Sequence, residues 1–345
     1  MSETVERAPA HRRTHGLERI QVQAAATLAL LAVYFRFWTL FAPPDPLAPI
    51  TFLAVGRSWP ALGLVGFLCV LGAVVAAATL SSRREGALLA LLIGAGGISL
   101  RSPGAGDLLW LQAPALGRTY LKSMEEVVLL WCGLAAAAVV IDLVRGVLGR
   151  LCPGWVWKSP LADVSEEDRA RSLKEAQKAE TEFVIRHGWI SGLVRSLGIM
   201  GTQRAGVPTP PRKAMWEALQ SLALALVLSG ALLHITLQSG ARGQILFSLA
   251  ASFAVGVFIA HQCFPTPYSI VAWCLPLVAA LFFYALAAAA PVPATVQGWT
   301  HVAPFGRVLP IDWLTAGGGG AVLGYWLSWR IHELRLIEKG QKKQP

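Results

Sequence analysis

The stretch GALLALLIGAGGISL (residues 86–100) decides how this chain is counted. It is apolar but only fifteen residues long, and four of them are glycine (Gly86, Gly94, Gly96, Gly97). A helix needs about 20 apolar residues to cross a hydrocarbon core. Arg83, Arg84 and Glu85 precede it and Arg101 follows it, so its ends are marked by charge. Seven further apolar runs surround it, at about 24–42, 60–80, 124–148, 214–237, 243–263, 268–290 and 314–332. Counting 86–100 as a crossing makes eight spans and puts both termini on one side.

Composition agrees with that class. Hydrophobic residues are 54% of the 345 and charged residues 14%, and mean hydropathy is +0.53. A soluble domain carries about 25% charge, so the expectation is an all-α integral membrane protein. With the N-terminus placed in the cytoplasm, 23 of the 30 Lys and Arg residues fall on the cytoplasmic side and 6 outside, with Arg36 inside the first span. The net charge of +10 is therefore mainly positive-inside topology, which points to the lipid bilayer as partner and away from nucleic acid. A bacterial-type plasma (inner) membrane with cytoplasmic N- and C-termini is the expected setting. The first 23 residues are polar throughout, so the run after them reads as a first span and not as a cleaved leader. Cys69, Cys132, Cys152, Cys263 and Cys274 form no CxxC pair and read as small hydrophobes.

The chain divides into an N-terminal segment (1–23), a first four-span half (24–148), a cytoplasmic helical insert (149–213), a second four-span half (214–332) and a basic tail (333–345). Within the insert, 163–187 reads as a helix opened by Ser165 and Asp168. After Gly188, Trp189, Ile190, Leu193, Val194 and Leu197 form an apolar stripe suited to the membrane interface. A solvated linker helix lying against the bilayer is the plain reading; a protein partner docking on the insert is the functional one.

The two halves suggest a 4+4 parallel repeat. Span starts at 24, 60, 86 and 124 match those at 214, 243, 268 and 314. QAPALGRTYLKSMEE (112–126) and HVAPFGRVLPIDW (301–313) share Ala-Pro, a spacer and Gly-Arg, each before the last span of its half. Even-numbered halves share orientation, as in parallel repeats. The first outer loop, 43–59, has no equally long counterpart near 238–242.

Few residues carry chemistry. Arg36 is the most conspicuous charge inside a predicted span. Its expected partners are Glu125, Glu126 and Asp312, or else it snorkels to headgroups. Arg118 and Arg307 are a candidate anion clamp, since guanidinium binds oxyanions bidentately. His234 with His301, and His261 with His332, pair by side, yet no local metal-binding spacing supports a metal or haem site. Gly320 and Gly324 have the small-xxx-small spacing of close helix packing. Ten tryptophans near span ends read as an aromatic belt. There is no nucleophile elbow, P-loop or zinc motif, so no catalytic residue, cofactor or metal is expected. These signals fit a structural or accessory membrane subunit or scaffold. The alternatives are a permease for a small solute or anion sited between the halves, and a membrane-embedded enzyme acting on a lipid-linked substrate.

Overall fold

A computed structural model describes residues 7–45, 47–112, 115–155, 211–266, 269–289 and 304–341. All regular structure among them is helical. The long helices are α1 (Arg7–Phe35), α2 (Ser58–Ala78), α3 (Arg84–Arg101), α5 (Leu116–Leu151), α6 (Pro211–Thr236), α7 (Arg242–Cys263), α8 (Ser269–Ala289) and α9 (Gly318–Gln341); α4 (Gly106–Leu111) is a short helix between α3 and α5. Five of them, α2, α5, α6 from Met215, α7 and α8, are long and apolar enough to cross a membrane. The expected insert helix at 163–187 and its interfacial stripe lie outside the described residues, as does His301.

Contacts between helix ends fix their sense. At one end Glu18 of α1 meets Arg330 of α9, Gln21 meets Ser81, and Arg84 of α3 meets Asp142 of α5. At the other, Arg101 meets Tyr34, Arg242 of α7 meets Asp312, and Gln244 reaches the end of α6 at Thr236. Successive long helices therefore run antiparallel. The N-terminal part of α1 and the C-terminal part of α9 share the first end.

The stretch at 86–100 becomes α3, the most enclosed helix of the first half. Twelve of its eighteen residues are buried, from Gly86 to Ser99, and it packs on α1 most extensively, then on α2, α9 and α5. A helix buried all round has no polar face to write into its sequence. Its glycines admit α1: a Cβ on Gly94 would stand 2.7 Å from Ala29 Cβ, and one on Gly97 2.8 Å from the Tyr34 nitrogen. In α9, a Cβ on Gly320 would stand 2.3 Å from the Ala250 carbonyl oxygen and one on Gly324 2.2 Å from that of Ala254. Here α9 and α7 touch backbone to backbone, the geometry small residues permit in membranes.

The entry into α9 is irregular. A single turn, Pro310–Asp312, runs into a π-helical turn at Trp313–Gly317 before α9 begins. Wide turns of this kind collect at places where side chains must be re-aimed. In α8, Pro276 lies inside the helix and cannot bond to the Ala272 carbonyl. Trp131 of α5 donates to the adjacent carbonyl of Trp273 at 2.8 Å, so the turn before Pro276 is tied to its neighbour. The α5–α8 and α3–α9 contacts join the two halves.

Helix pairing differs between the halves. The second helix packs extensively on the fourth in both, as α2 on α5 and α7 on α9. The first helix packs mainly on the third in one half, α1 on α3, but on the second in the other, α6 on α7. The matched spacing in sequence thus does not carry one pairing scheme into both halves. Boundaries shift too. The first apolar run, read as a span to 42, ends as an α-helix at Phe35 and continues as a 3-10 turn, Phe37–Leu40. Arg36 therefore sits at a helix break, one residue past the end of α1.

Candidate functional site

Polar chemistry concentrates at four places, all between helices. The first is the opposite end, where the two halves meet. Arg242 opens α7, and its two Nη groups grip the two carboxylate oxygens of Asp312. Its Nε and Nη2 also donate to the Ser99 carbonyl of α3 at 3.1 and 2.7 Å. Asp312 is fully buried and accepts the Leu309 N–H at 3.0 Å. Pro310 starts this turn and Asp312 ends it, so the acid caps its own helix while it holds Arg242. The Ser99 and Thr315 hydroxyls lie 2.8 Å apart. Thr315 also donates to the Ile311 carbonyl at 2.8 Å. The unit ties α3, α7 and the start of α9 together. A buried ion pair contributes little net free energy, but removing one partner costs about 3–5 kcal/mol.

The second place is Glu126 on α5. Its Oε2 accepts from the Thr51 hydroxyl, the Phe52 N–H and the Leu53 N–H, each at 2.8 Å. The Ile50 N–H donates to Ser102 at 2.9 Å, so the long loop before α2 is pinned to both α5 and α3. Oε1 of Glu126 is buried, with no hydrogen-bond partner among the described residues.

At the end bearing the termini, Glu18 also accepts the Arg83 N–H at 3.3 Å while it pairs with Arg330. Arg84 meets Asp142 at 2.8 Å. Arg145 donates to the carbonyls of Thr79, Leu80 and Ser82 and so fixes the α2–α3 turn.

The fourth place is His261, which is buried. Its Nε2 faces the Thr266 carbonyl at 3.0 Å and its Nδ1 faces the Ser328 hydroxyl at 2.7 Å. A carbonyl can only accept, so Nε2 carries the proton and Nδ1 accepts from Ser328. Gln262 then donates to Ser328 Oγ at 2.7 Å. The His332 ring lies 5.6 Å away, but His261 has both nitrogens committed to protein partners and no lone pair left for a metal. No group of three His, Cys, Asp or Glu residues suited to a metal occurs among the described residues. A cavity of about 10 Å³ beside His261 is lined by Ser221, Thr266 and Tyr325 among aliphatic residues, at the lower limit for one water.

The residues singled out in the sequence do not form one site. Arg36 is exposed and makes no ion pair among the described residues; α1 packs chiefly on α3 and α2. Arg118 is exposed on α5. Arg307 is half-buried with its side chain over Gly240, where a Cβ would stand 2.9 Å from Nη1. Glu125 is exposed and pairs with Lys122 at 2.6 Å; Glu126 and Asp312 are spent as described. Asp312 thus meets Arg242 and not Arg36, which corrects the expected partnership. Arg242, Glu18, Asp142, Arg145 and Arg330 are not among the candidate residues that the sequence pattern singles out. Their one local signal is position, each at an end of an apolar run. Comparisons with protein families, with curated proteins and with solved structures returned no match.

Proposed function

We propose that this is an eight-span integral membrane protein with cytoplasmic termini, serving as a structural or accessory membrane subunit without a reaction of its own. Five apolar helices support the membrane setting. The other three long helices carry charges at both ends of their apolar stretch. Glu18 to Arg36, one residue past α1, Arg84 to Arg101 in α3 and Asp312 to Arg330 into α9 each cover about 26–27 Å at 1.5 Å per residue. That is close to the ~30 Å hydrocarbon core. The Lys and Arg excess on the side of the termini supports a cytoplasmic placement there.

One observation carries the non-catalytic reading: the buried charges serve as clamps between helices. Arg242 with Asp312, Glu18 with Arg330 and Arg84 with Asp142 each join two elements, and Glu126 holds a loop. Intramembrane charges of a carrier or an enzyme are kept for a substrate pathway. Arg36, Arg118 and Arg307 lie on separate features, which speaks against the anion-permease alternative. The insert at 149–213 is then the element that meets a protein partner.

Two experiments test this. Single cysteines placed at Arg57 and at Leu151 in a cysteine-free background are labelled with a membrane-impermeant maleimide in intact cells. Labelling at 57 and protection at 151 is expected, and the reverse pattern overturns the topology. For function, stoichiometric co-purification of one protein that is lost on deleting 156–210, with the bundle still folded, is expected. Solute flux in proteoliposomes that depends on Arg118 and Arg307 overturns the accessory-subunit reading.

A further inference from the structure

We infer that Arg101 forms, with Tyr34 and Trp38, a binding site for the phosphate of an anionic phospholipid headgroup at the outer end of the bundle. The inference rests on α1 and α3 crossing the bilayer. Both helices end at this level, α1 at Phe35 and α3 at Arg101. The Arg101 guanidinium stands 4.5 Å from the centre of the Tyr34 ring and 5.1 Å from that of Trp38. Its Nε donates to the Tyr34 carbonyl at 3.3 Å. One hydrogen bond and two rings therefore fix the orientation of the group before any ligand arrives, and such pre-organisation lowers the cost of binding.

The contrast with Arg242 shows what is left open. Both arginines use Nε on a backbone carbonyl, but the Nη pair of Arg242 is consumed by Asp312. Arg101 is exposed, no carboxylate lies within 4.0 Å of it among the described residues, and its Nη pair makes no hydrogen bond there. A planar pair of N–H donors in a fixed plane matches two phosphate oxygens. Phe35, Phe37 and Leu40 are exposed beside it and suit the acyl chains of the same lipid. Arg101 lies about 26 Å along α3 from Arg84, so the matter around it is the headgroup layer. If Arg101 only closed off the Tyr34 carbonyl, Nε would suffice and lipid charge would make no difference.

The test uses the full-length protein in neutral detergent. Short-chain phosphatidylglycerol, short-chain phosphatidylcholine and inorganic phosphate are titrated at equal ionic strength. The readouts are the thermal shift against the same variant without additive, and lipid retained in native mass spectrometry. Wild type is expected to prefer phosphatidylglycerol over phosphatidylcholine about fivefold, or about 1 kcal/mol. Arg101→Gln loses the preference, Arg101→Lys keeps part of it, and Trp38→Leu weakens it with the charge intact. Equal responses to both lipids in wild type, or a preference unchanged in Arg101→Gln and Trp38→Leu, overturn the inference. An equal shift with inorganic phosphate alone also overturns it, in favour of a soluble-anion site. Should Arg101→Gln fail to fold, wild-type selectivity and Trp38→Leu still decide. The maleimide pattern at position 57 separates failure of this site from failure of the topology.

Discussion

Breaking the Arg242–Asp312 pair from either side should cost unequal amounts. Arg242→Met leaves the Asp312 carboxylate wholly buried, with the Leu309 N–H its one remaining donor among the described residues. That places it near the upper end of the ~3–5 kcal/mol expected for a stranded buried charge. Asp312→Leu leaves a guanidinium whose side chain is 18% exposed and still bonded twice to the Ser99 carbonyl. Its cost belongs near about 3 kcal/mol. The double replacement strands no charge and should cost less than either single variant, so the coupling energy, the sum of the singles less the double, exceeds about 5 kcal/mol. Reversible unfolding in mixed detergent micelles, followed by the fluorescence of the thirteen tryptophans, measures all four states. The reasoning fails if Asp312→Leu costs as much as Arg242→Met, or if the double variant equals the sum of the singles within about 0.5 kcal/mol.

Other perturbations follow from the same geometry. Gly324→Ala puts a Cβ 2.2 Å from the Ala254 carbonyl oxygen, so a loss of at least ~1–3 kcal/mol is expected. Gly96→Ala meets only Thr315 Cβ at 4.0 Å and should be near neutral in the same unfolding assay. Glu126→Ala removes the acceptor of three donors and should speed amide hydrogen exchange at Phe52 and Leu53 at least tenfold, with little change at Ala95. Unchanged exchange there would remove the loop from Glu126's control. Arg145→Met removes the guanidinium donors from the carbonyls of Thr79, Leu80 and Ser82, and a cysteine at Ser81 should then react faster with thiol reagents than in the parent.

The membrane class and the existence of the long helices were legible because burial in lipid demands unbroken apolar length, which composition displays directly. Residues 86–100 show the limit of that signal. Their shortness and glycine content weaken them as a lipid-facing span, yet those properties suit a helix walled in by other helices. The ion pairs were hidden for a different reason. Glu18 and Arg330, or Arg242 and Asp312, are neighbours only after the bundle closes, and no local spacing connects them. An apolar run also does not say where its helix stops, and α1 ends at Phe35, just before Arg36. Sequence offsets between the halves recorded lengths of runs, while helix pairing follows the shapes of faces, set by glycines such as Gly94 in one half and Gly320 in the other.

The joining of Glu18 to Arg330 also sets an order of events during synthesis. The ribosome delivers the acid in the first helix and its base in the last, 312 residues later. Until α9 emerges, the Glu18 carboxylate lacks its Arg330 partner and is left with the Arg83 N–H and the nearby Arg145 of the first half. A chain halted before Arg330 therefore keeps a buried-site acid without its ion-pair partner, and the closing of that pair belongs to the last step of assembly.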